Sequence, residues 1–244
     1  MNRDVVITGV GVTSAIGQGK AAFLAALLDG RGAFGVMSRP GRQKNSAFLG
    51  AEIASLAMPA AISAQLARNA SFSGKVALAT LHEAWDEARL DDVDPQRIGL
   101  IVGGSNFQQR ELVLLHEQYA GREQFLRPTY GLTFMDTDIV GLCTAQFRIR
   151  GASYGIAGAS ASGQLAVVQA AQAVRAGLVD VCIALGPVMD LSYWECYGLR
   201  SLGAMGSDRY ADAPDLACRP FDRDRDGFIY GENCAAIVLE RADG

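Results

Sequence analysis

Hydrophobic and polar positions follow two patterns along this chain. Short, continuous apolar runs are typical of buried strands, and they cover residues 4–8, 97–102, 154–157, 179–185 and 235–239. Helical periodicity covers residues 20–29, 73–90, 111–119 and 136–148, and a further helix begins just after residue 160. Strands that alternate with helices predict an α/β protein with a layered, largely buried sheet.

Local signals predict where individual elements begin and end. Gly9 and Gly11 have a spacing close to that of a dinucleotide-binding loop, but Ser14 stands where that motif needs its third glycine. We therefore assign these glycines to a turn. Ser73 is assigned as the N-cap of the second helix. Residues 189–205 are rich in aromatic side chains, lack a clear period and are predicted to be irregular.

The stretch from Gly151 to Gly177 joins an apolar strand to a helix through a turn of small residues. Such a turn places one side chain, here Ser160, beside unpaired backbone N–H groups and the positive end of a helix dipole. This arrangement is typical of a nucleophile or oxyanion site, although small residues and a capping serine also serve helix–strand packing. The hydrolase motif G-x-S-x-G is not met, because Ser162 occupies its last position. Both interpretations stay open on the pattern alone.

The composition is that of a globular protein, with 50% of the 244 residues hydrophobic and 20% charged. A formal net charge of −4 disfavours nucleic acid as a partner. The sequence has no uncharged apolar run of about 18 residues and no leader-like opening. We therefore expect no membrane association and a cytoplasmic location.

Metal-binding patterns are weak in this sequence. The two histidines, His82 and His116, lack metal-spaced partners, and the five cysteines form no C-x-x-C pair. Residues 222–227 resemble the start of an EF-hand loop, but Asn233 stands where its bidentate glutamate is required. We expect no metal site, buried free thiols, and a structural or solvent-facing role for both histidines.

Three stretches together resemble the N-terminal half of the β-ketoacyl synthase family, the condensing enzymes of fatty-acid and polyketide assembly. They are VVITGVGVT at 5–13, the small-residue segment at 151–163, and RPFDRDRDGF at 219–228, which Gly231 and Glu232 follow. The resemblance spans essentially the whole chain. It implies a thiolase-like α/β fold with layers ordered α-β-α-β-α, of which residues 1–244 form the N-terminal half, with a mixed, mostly buried sheet. The C-terminal half would be absent from this chain, either because the chain is a fragment or because that half is a second polypeptide.

The chain departs from the family pattern at its nucleophile. Ser160 stands at the position of the family's cysteine, and Gly158 at that of a threonine. The family's catalytic histidines and lysine belong to motifs of its C-terminal half, and neither His82 nor His116 falls in such a motif. A cysteine thiol has a pKa of about 8.5, whereas a serine hydroxyl needs a dedicated base. Condensation is therefore disfavoured.

With serine in place of cysteine, the chain is similar to the decarboxylating ketosynthases of polyketide β-branching cassettes. The resemblance implies conversion of malonyl-acyl carrier protein to acetyl-acyl carrier protein through an oxyanion-stabilised enolate, without an acyl-enzyme. It implies no bound cofactor, because the substrate is carried on the phosphopantetheine of an acyl carrier protein. The implied partners are that carrier protein, a second copy in a homodimer, and the C-terminal half of the fold.

The resemblance also assigns site residues, position by position. Ser160 takes the catalytic position, and its backbone N–H contributes to the oxyanion hole. Asn106 and Cys196 fall where the family lines its acyl pocket. Tyr130 and Gly131 fall where residues reach the partner subunit's pocket.

Three alternatives stay open. Ser160 could be the true nucleophile of an acyltransferase, which predicts an acyl-serine adduct. The chain could be a non-catalytic partner subunit similar to the chain-length factors, which usually carry glutamine at this position. The third alternative is that this half is inert by itself, because the histidines lie elsewhere.

Overall fold

The apolar runs form strands and the periodic stretches form helices in the computed structural model, which describes residues 4–242. The strands are β1 (Val5–Ser14), β2 (Gly17–Gln18), β3 (Phe34–Val36), β4 (Leu49–Ala51), β5 (Ile98–Gly103), β6 (Ser153–Ile156), β7 (Val181–Gly186), β8 (Tyr230–Gly231) and β9 (Asn233–Arg241). The helices are α1 (Lys20–Leu28), α2 (Ala64–Asn69), α3 (Phe72–Ala88), α4 (Gln109–Tyr119), α5 (Tyr130–Thr133), α6 (Thr137–Phe147), α7 (Ser162–Arg175) and α8 (Tyr193–Ser201).

The main sheet has six strands in the order β2-β1-β9-β7-β5-β6. β5 runs parallel to β6 and β7, whereas β9 is antiparallel to β7 and β1, so the sheet is mixed. The register pairs Gly103 of β5 with Ile156 of β6, and Val102 with Leu185 of β7. The carboxyl ends of β5, β6 and β7 therefore meet at one edge of the sheet.

Helices cover both faces of this sheet. α3 and α6 pack on one face, in a core that includes Leu78, Leu100 and Ile183. α7 packs on the opposite face, against Ile101 and Cys182. The central strands β5 and β7 are buried along nearly their whole length, as strands covered on both faces should be. This layering confirms the predicted α/β class and its largely buried sheet.

β1 extends beyond its apolar run, and its glycines belong to the strand rather than to a turn. Gly9 approaches α3 so closely that a Cβ there would be 2.2 Å from the carbonyl oxygen of Ala84. The predicted glycine turn at Gly9 and Gly11 was therefore wrong, because local spacing does not report a helix packed against the strand. The beginning of β1 is also less buried than predicted, since Ile7 is 60% exposed.

The apolar face of α1 is largely uncovered within the described part of the chain. Periodicity places four apolar side chains on this face: Phe23, Leu24, Leu27 and Leu28. Only Ala26 of α1 is buried, and Leu28 is 78% exposed.

The sequence pattern predicted Ser73 as the N-cap of α3, but in the structure the N-cap is Ser71. The Ser71 hydroxyl accepts a hydrogen bond from the N–H of Gly74, while the Ser73 hydroxyl is buried and donates to the carbonyl oxygen of Val188. Ser73 thus links α3 to the segment that follows β7.

Residues 189–205 contain a helix, so the prediction of an irregular segment was wrong. α8 begins with a capping box: the Ser192 hydroxyl accepts from the helix N-terminus, and the Glu195 carboxylate accepts from the N–H of Ser192. The pattern S-x-x-E was visible in the sequence as a helix start, but the aromatic residues around it hid the helical period.

β6 is an edge strand whose neighbour within residues 4–242 is β5. It was predicted to be buried, but Tyr154 and Gly155 are exposed. The strand is apolar in sequence and only half covered in this chain.

A buried ionic network joins the three-stranded sheet β3-β4-β8 to the main body. The side chain of Arg42 is fully buried and contacts Asp190 at 2.8 Å and Glu232 at 2.5 Å. Arg110 also binds Asp190 at 2.9 Å, and Arg39 binds Glu232 at 2.9 Å. Because each buried charge has an opposite partner, the network holds elements distant in sequence in one arrangement.

Cys143, Cys182, Cys196 and Cys234 are buried as predicted, whereas Cys218 is exposed. Within residues 4–242, no cluster of three or more His, Cys, Asp or Glu side chains is arranged to hold a metal ion. No helix in the described range combines the length and the apolar character that crossing a bilayer requires.

Candidate active site

A strand–turn–helix unit presents Ser160 to solvent. β6 ends at Ile156, and α7 begins at Ser162 with Ala161 as its N-cap residue. Ser160 is exposed between these elements, and its hydroxyl makes no hydrogen bond within residues 4–242. The side chain therefore lies beside the N-terminus of α7, where the helix dipole favours negative charge.

The turn before Ser160 has an unusual backbone conformation. Ala159 has a φ of 48°, in the left-handed region that L-residues rarely adopt. The Ser162 hydroxyl accepts from the N–H of Gly158 at 2.9 Å and donates to the Ala159 carbonyl oxygen at 2.7 Å. The N–H of Ala161 donates to the Gly158 carbonyl oxygen at 3.0 Å. Among the described residues the N–H of Ser160 has no acceptor, so it is available to an oxygen of a ligand.

Asn106 lies at the same edge of the sheet as Ser160. Gly103, at the end of β5, touches the first turn of α7, since a Cβ there would be 2.3 Å from the Ser162 carbonyl oxygen. The N–H of Asn106 donates to the Asp136 carboxylate at 2.8 Å, which holds the loop after β5 in place. Asn106 and Ser160 thus follow neighbouring parallel strands, at the edge where α/β proteins commonly bind ligands.

Tyr130 and Gly131 form the start of α5, on an exposed surface. The Tyr130 hydroxyl is 2.8 Å from Nε2 of His116, and its ring packs near that of Phe134. A Cβ at Gly131 would meet no atom within 4 Å. Phe134 is 55% exposed, so this surface is apolar as well as open. The structure does not bring Tyr130 or Gly131 into contact with Ser160 within this chain.

Cys196 lies inside a packed cluster with Phe48 and Tyr230, with no exposed surface. Burial raises the pKa of its thiol to about 11, so the thiol is neutral near pH 7. In this chain Cys196 contributes packing, and its assignment to an acyl pocket stays a prediction.

No base for the Ser160 hydroxyl is present among the described residues. His82 lies on α3 and pairs with Asp86 at 3.5 Å. His116 is exposed on α4, as predicted, and contacts Tyr130. An unassisted serine is a weak nucleophile, so the hydroxyl is not activated by this chain.

The loop at residues 222–227, which resembles the start of an EF-hand in sequence, uses the carboxylates of Asp222 and Asp226 in hydrogen bonds within the protein. Asp222 accepts from Arg219 at 2.9 Å and from the N–H of Asp224 at 2.7 Å. Asp226 accepts from the N–H of Ser207 at 2.8 Å. The Asp222 contacts fold the loop on itself, whereas the Asp226 contact ties it to the segment that follows α8. The carboxylates are therefore not gathered around one point.

Sequence reasoning missed Asp136 and Ser162 as parts of the site. The sequence indicated Asp136 only as a helix start, and nothing local shows that its carboxylate reaches the loop after β5. Ser162 carried an available signal, because a serine in the first turn of a helix often bonds a nearby backbone group. The left-handed Ala159 had no sequence signal.

An open apolar face lies beside α1. It borders a cavity of about 770 Å³ between this helix and one side of strands β1 and β9. Its apolar lining includes Val10, Val12, Phe23, Leu24 and Ile237. A continuous apolar surface of this kind is typical of an interface with another protein segment.

The fold and the site define an α/β protein whose strand–turn–helix unit presents a hydroxyl and a free backbone N–H at a helix N-terminus. This chain belongs to the β-ketoacyl synthase family, because the family model described as "Beta-ketoacyl synthase, N-terminal domain" matches residues 2–244. The resemblance inferred from the three sequence motifs is thereby confirmed.

The chain is 62% identical over 240 residues to the polyketide biosynthesis malonyl-ACP decarboxylase PksF of Bacillus subtilis. It is 29% identical over 247 residues to 3-oxoacyl-[acyl-carrier-protein] synthase 1 of Haemophilus influenzae. The alignments cover 98% and 99% of this chain but 58% and 60% of those relatives. The chain therefore spans less than two thirds of the length of these relatives.

A solved β-ketoacyl synthase from Burkholderia phymatum superposes on the whole chain with a TM-score of 0.83 and 25% identity, over 60% of its own length. The ishigamide ketosynthase/chain length factor superposes with a TM-score of 0.81 and 23% identity, over 59% of its own length. These likenesses confirm the thiolase-like fold that the resemblance implied.

Proposed function

We propose that this chain is the N-terminal half of a ketosynthase-like enzyme that decarboxylates malonyl-acyl carrier protein to acetyl-acyl carrier protein in polyketide β-branching. The observation that carries the proposal is Ser160: a hydroxyl without a base stands where condensing members of the family use cysteine, while the N–H beside it is available. The relative that is named a malonyl-ACP decarboxylase, at 62% identity, supports the same activity.

The proposed reaction needs charge stabilisation more than a nucleophile. The bond between the malonyl carboxylate and Cα breaks, CO₂ leaves, and the electron pair moves into the thioester carbonyl to give an enolate. The N–H of Ser160, beside the N-terminus of α7, donates to the enolate oxygen. A proton then adds to Cα and gives the acetyl thioester. No acyl-enzyme forms, and the substrate stays on the phosphopantetheine of its carrier protein.

The other site residues have proposed supporting roles. Asn106 lies at the same sheet edge as Ser160, and both Asn106 and Cys196 are assigned to the lining of the acyl pocket. Tyr130 and Gly131 lie on an exposed apolar surface and reach the pocket of a second copy in a homodimer. The second oxyanion donor and the catalytic histidines come from the C-terminal half.

The uncovered apolar surfaces support the domain assignment. The face of α1 and the cavity beside β1 and β9 expose side chains that a folded domain normally buries, such as Leu24 and Leu28. In the proposed assembly the C-terminal half covers this surface. Because the proposal places the catalytic histidines in that half, residues 1–244 in isolation should lack activity.

The test is intact mass spectrometry of malonyl-loaded carrier protein incubated with the full-length protein, meaning this chain together with its C-terminal half. Decarboxylation predicts a shift from malonyl to acetyl on the carrier and no adduct at Ser160. The Ser160→Ala variant should keep its rate within about tenfold of wild type, because the backbone N–H remains.

The alternatives give different results in the same experiment. An acyltransferase predicts an acyl adduct on Ser160 and complete loss of turnover in Ser160→Ala. A partner subunit similar to the chain-length factors predicts no change on either protein, with the full-length protein folded and dimeric. Either result would overturn the decarboxylase proposal.

A further inference from the structure

We propose that Ser162 is a positioning residue for this reaction: its hydroxyl fixes the peptide group between Ala159 and Ser160 and so directs the N–H of Ser160 toward the substrate oxygen. The inference rests on the proposed function and adds a residue that acts through Ser160 rather than on the substrate.

The geometry of one peptide plane carries the argument. The carbonyl of Ala159 and the N–H of Ser160 belong to the same planar trans peptide group and point in opposite directions. The Ala159 oxygen accepts from the Ser162 hydroxyl at 2.7 Å and from the Ser162 N–H at 3.2 Å. Two donors on this oxygen fix the plane, and therefore also fix the direction of the N–H on its other side.

The same hydroxyl also holds the preceding peptide group. It accepts from the N–H of Gly158 at 2.9 Å. Ser162 thus contacts the backbone on both sides of Ala159, whose φ of 48° places its Cβ close to backbone oxygen. Without these bonds, Ala159 would relax toward negative φ and rotate the peptide that carries the Ser160 N–H.

Ser162 itself is held firmly. It is buried, and its hydroxyl uses both its donor and its acceptor capacity in the turn. Gly103 at the end of β5 contacts its carbonyl group, because a Cβ at Gly103 would be 2.3 Å from that oxygen. These contacts exclude Ser162 as an exposed nucleophile and suit it to a positioning role.

The first readout is turnover of malonyl-loaded carrier protein by the full-length protein. Ser162→Ala should lower kcat about tenfold with KM within about twofold, because the lost interaction acts in the transition state. Adding Ala159→Gly should restore most of kcat, since glycine adopts positive φ without strain. Ser153→Ala is the matched control: the Ser153 hydroxyl in β6 bonds the Gly151 carbonyl and not the turn, so kcat should not change.

The second readout does not depend on activity. In a Ser160→Cys background, the pH midpoint of alkylation by iodoacetamide reports the pKa of a thiol at the helix N-terminus, which should lie below the ordinary value of about 8.5. Adding Ser162→Ala should raise this midpoint toward the ordinary value, and adding Ala159→Gly should lower it again. Ser153→Ala should leave the midpoint unchanged.

Unchanged kcat and an unchanged alkylation midpoint in folded Ser162→Ala protein would overturn the proposal. If wild-type protein does not decarboxylate the substrate, the proposed function fails, and the alkylation midpoint still tests the role of Ser162. If Ser162→Ala does not fold, the double variant Ala159→Gly/Ser162→Ala tests the proposal in its place. Recovery of fold, kcat and midpoint supports the proposal, and a folded double variant with low kcat and a raised midpoint contradicts it.

Discussion

Gly11 of β1 lies directly against the backbone of α3: a Cβ at this glycine would be 2.0 Å from the carbonyl oxygen of Thr80. Two residues further along the same face of the strand, side chains meet as well, because the hydroxyl of Thr80 donates to that of Thr13 at 2.8 Å. Strand and helix are thus in contact through backbone and short side chains, which sets the distance between the sheet and its helical layer.

Replacement of Gly11 by alanine should destabilise the protein strongly. The added methyl group meets a backbone oxygen rather than a flexible side chain, so strand and helix must separate, at a cost of about 3 kcal/mol or more. Chemical denaturation of full-length Gly11→Ala protein measures this. Gly35→Ala is the matched control, since Gly35 is also a strand glycine and an added Cβ there meets no atom within 4 Å. Equal stability of the two variants would contradict the close contact.

The buried ionic network should be sensitive to loss of a single charge. Asp190→Asn keeps the shape of the side chain but removes the negative charge that pairs with the buried guanidinium groups of Arg42 and Arg110. Breaking a buried ion pair on one side costs about 3–5 kcal/mol. We expect the free energy of unfolding of the full-length protein to fall by this amount.

The control for the network is an exposed ion pair in the same chain. Asp29 lies 3.3 Å from Arg31, and both side chains are mostly exposed. Asp29→Asn should change the free energy of unfolding by less than about 1 kcal/mol, because solvent screens such pairs. A cost for Asp190→Asn no larger than that of Asp29→Asn would show that the network contributes little to stability.

The elements that could be predicted from sequence are those with their own local signal. The continuous apolar run of β7 predicted a strand covered on both faces, and the position of Ser160 followed from small residues between a strand and a helix. Gly9 and Gly11 were misassigned because their role depends on α3, which lies far along the chain. The helix α8 was missed although its capping residues were present.

The site was predictable only in part, because some of its contacts join segments that are far apart in the sequence. Ser160 followed from a sequence motif, whereas the contact between Asp136 and the loop of Asn106 joins two separate segments. The φ of Ala159 is imposed by hydrogen bonds to Ser162 rather than by the preference of alanine. The apolar face of α1 was recognised from periodicity, but nothing in the sequence indicated that no described residue covers it fully.

Stability should fall in alkaline solution because of buried thiols. Burial raises the pKa of Cys196 to about 11, and those of Cys182 and Cys234 to about 12. In the unfolded chain these thiols ionise near pH 8.5, about the ordinary value. The folded state binds more protons above that pH, so stability is retained below about 8.5 and declines as pH rises toward 11, by about 1.4 kcal/mol per pH unit for each thiol.

Two cysteine variants isolate this effect. Cys196→Ala should reduce the slope of unfolding free energy against pH between about 8.5 and 11, whatever its effect at neutral pH. Cys218→Ala, at the exposed cysteine, is the matched control variant. Equal slopes in wild type and Cys196→Ala would mean that the Cys196 thiol ionises normally in the folded state.

The open apolar face beside α1 should behave as an interface in residues 1–244 taken alone. Leu24 lines the cavity next to Val10, Val12 and Ile237, and no described residue covers it fully. Because water contact with this surface is unfavourable, the isolated chain should bind a hydrophobic fluorescent dye, and the full-length protein should bind much less. Leu24→Lys in the isolated chain should weaken the dye signal, whereas Leu202→Lys, at an exposed leucine outside the cavity, should not. Equal dye binding by the isolated chain and the full-length protein would show that the proposed C-terminal half does not cover this face.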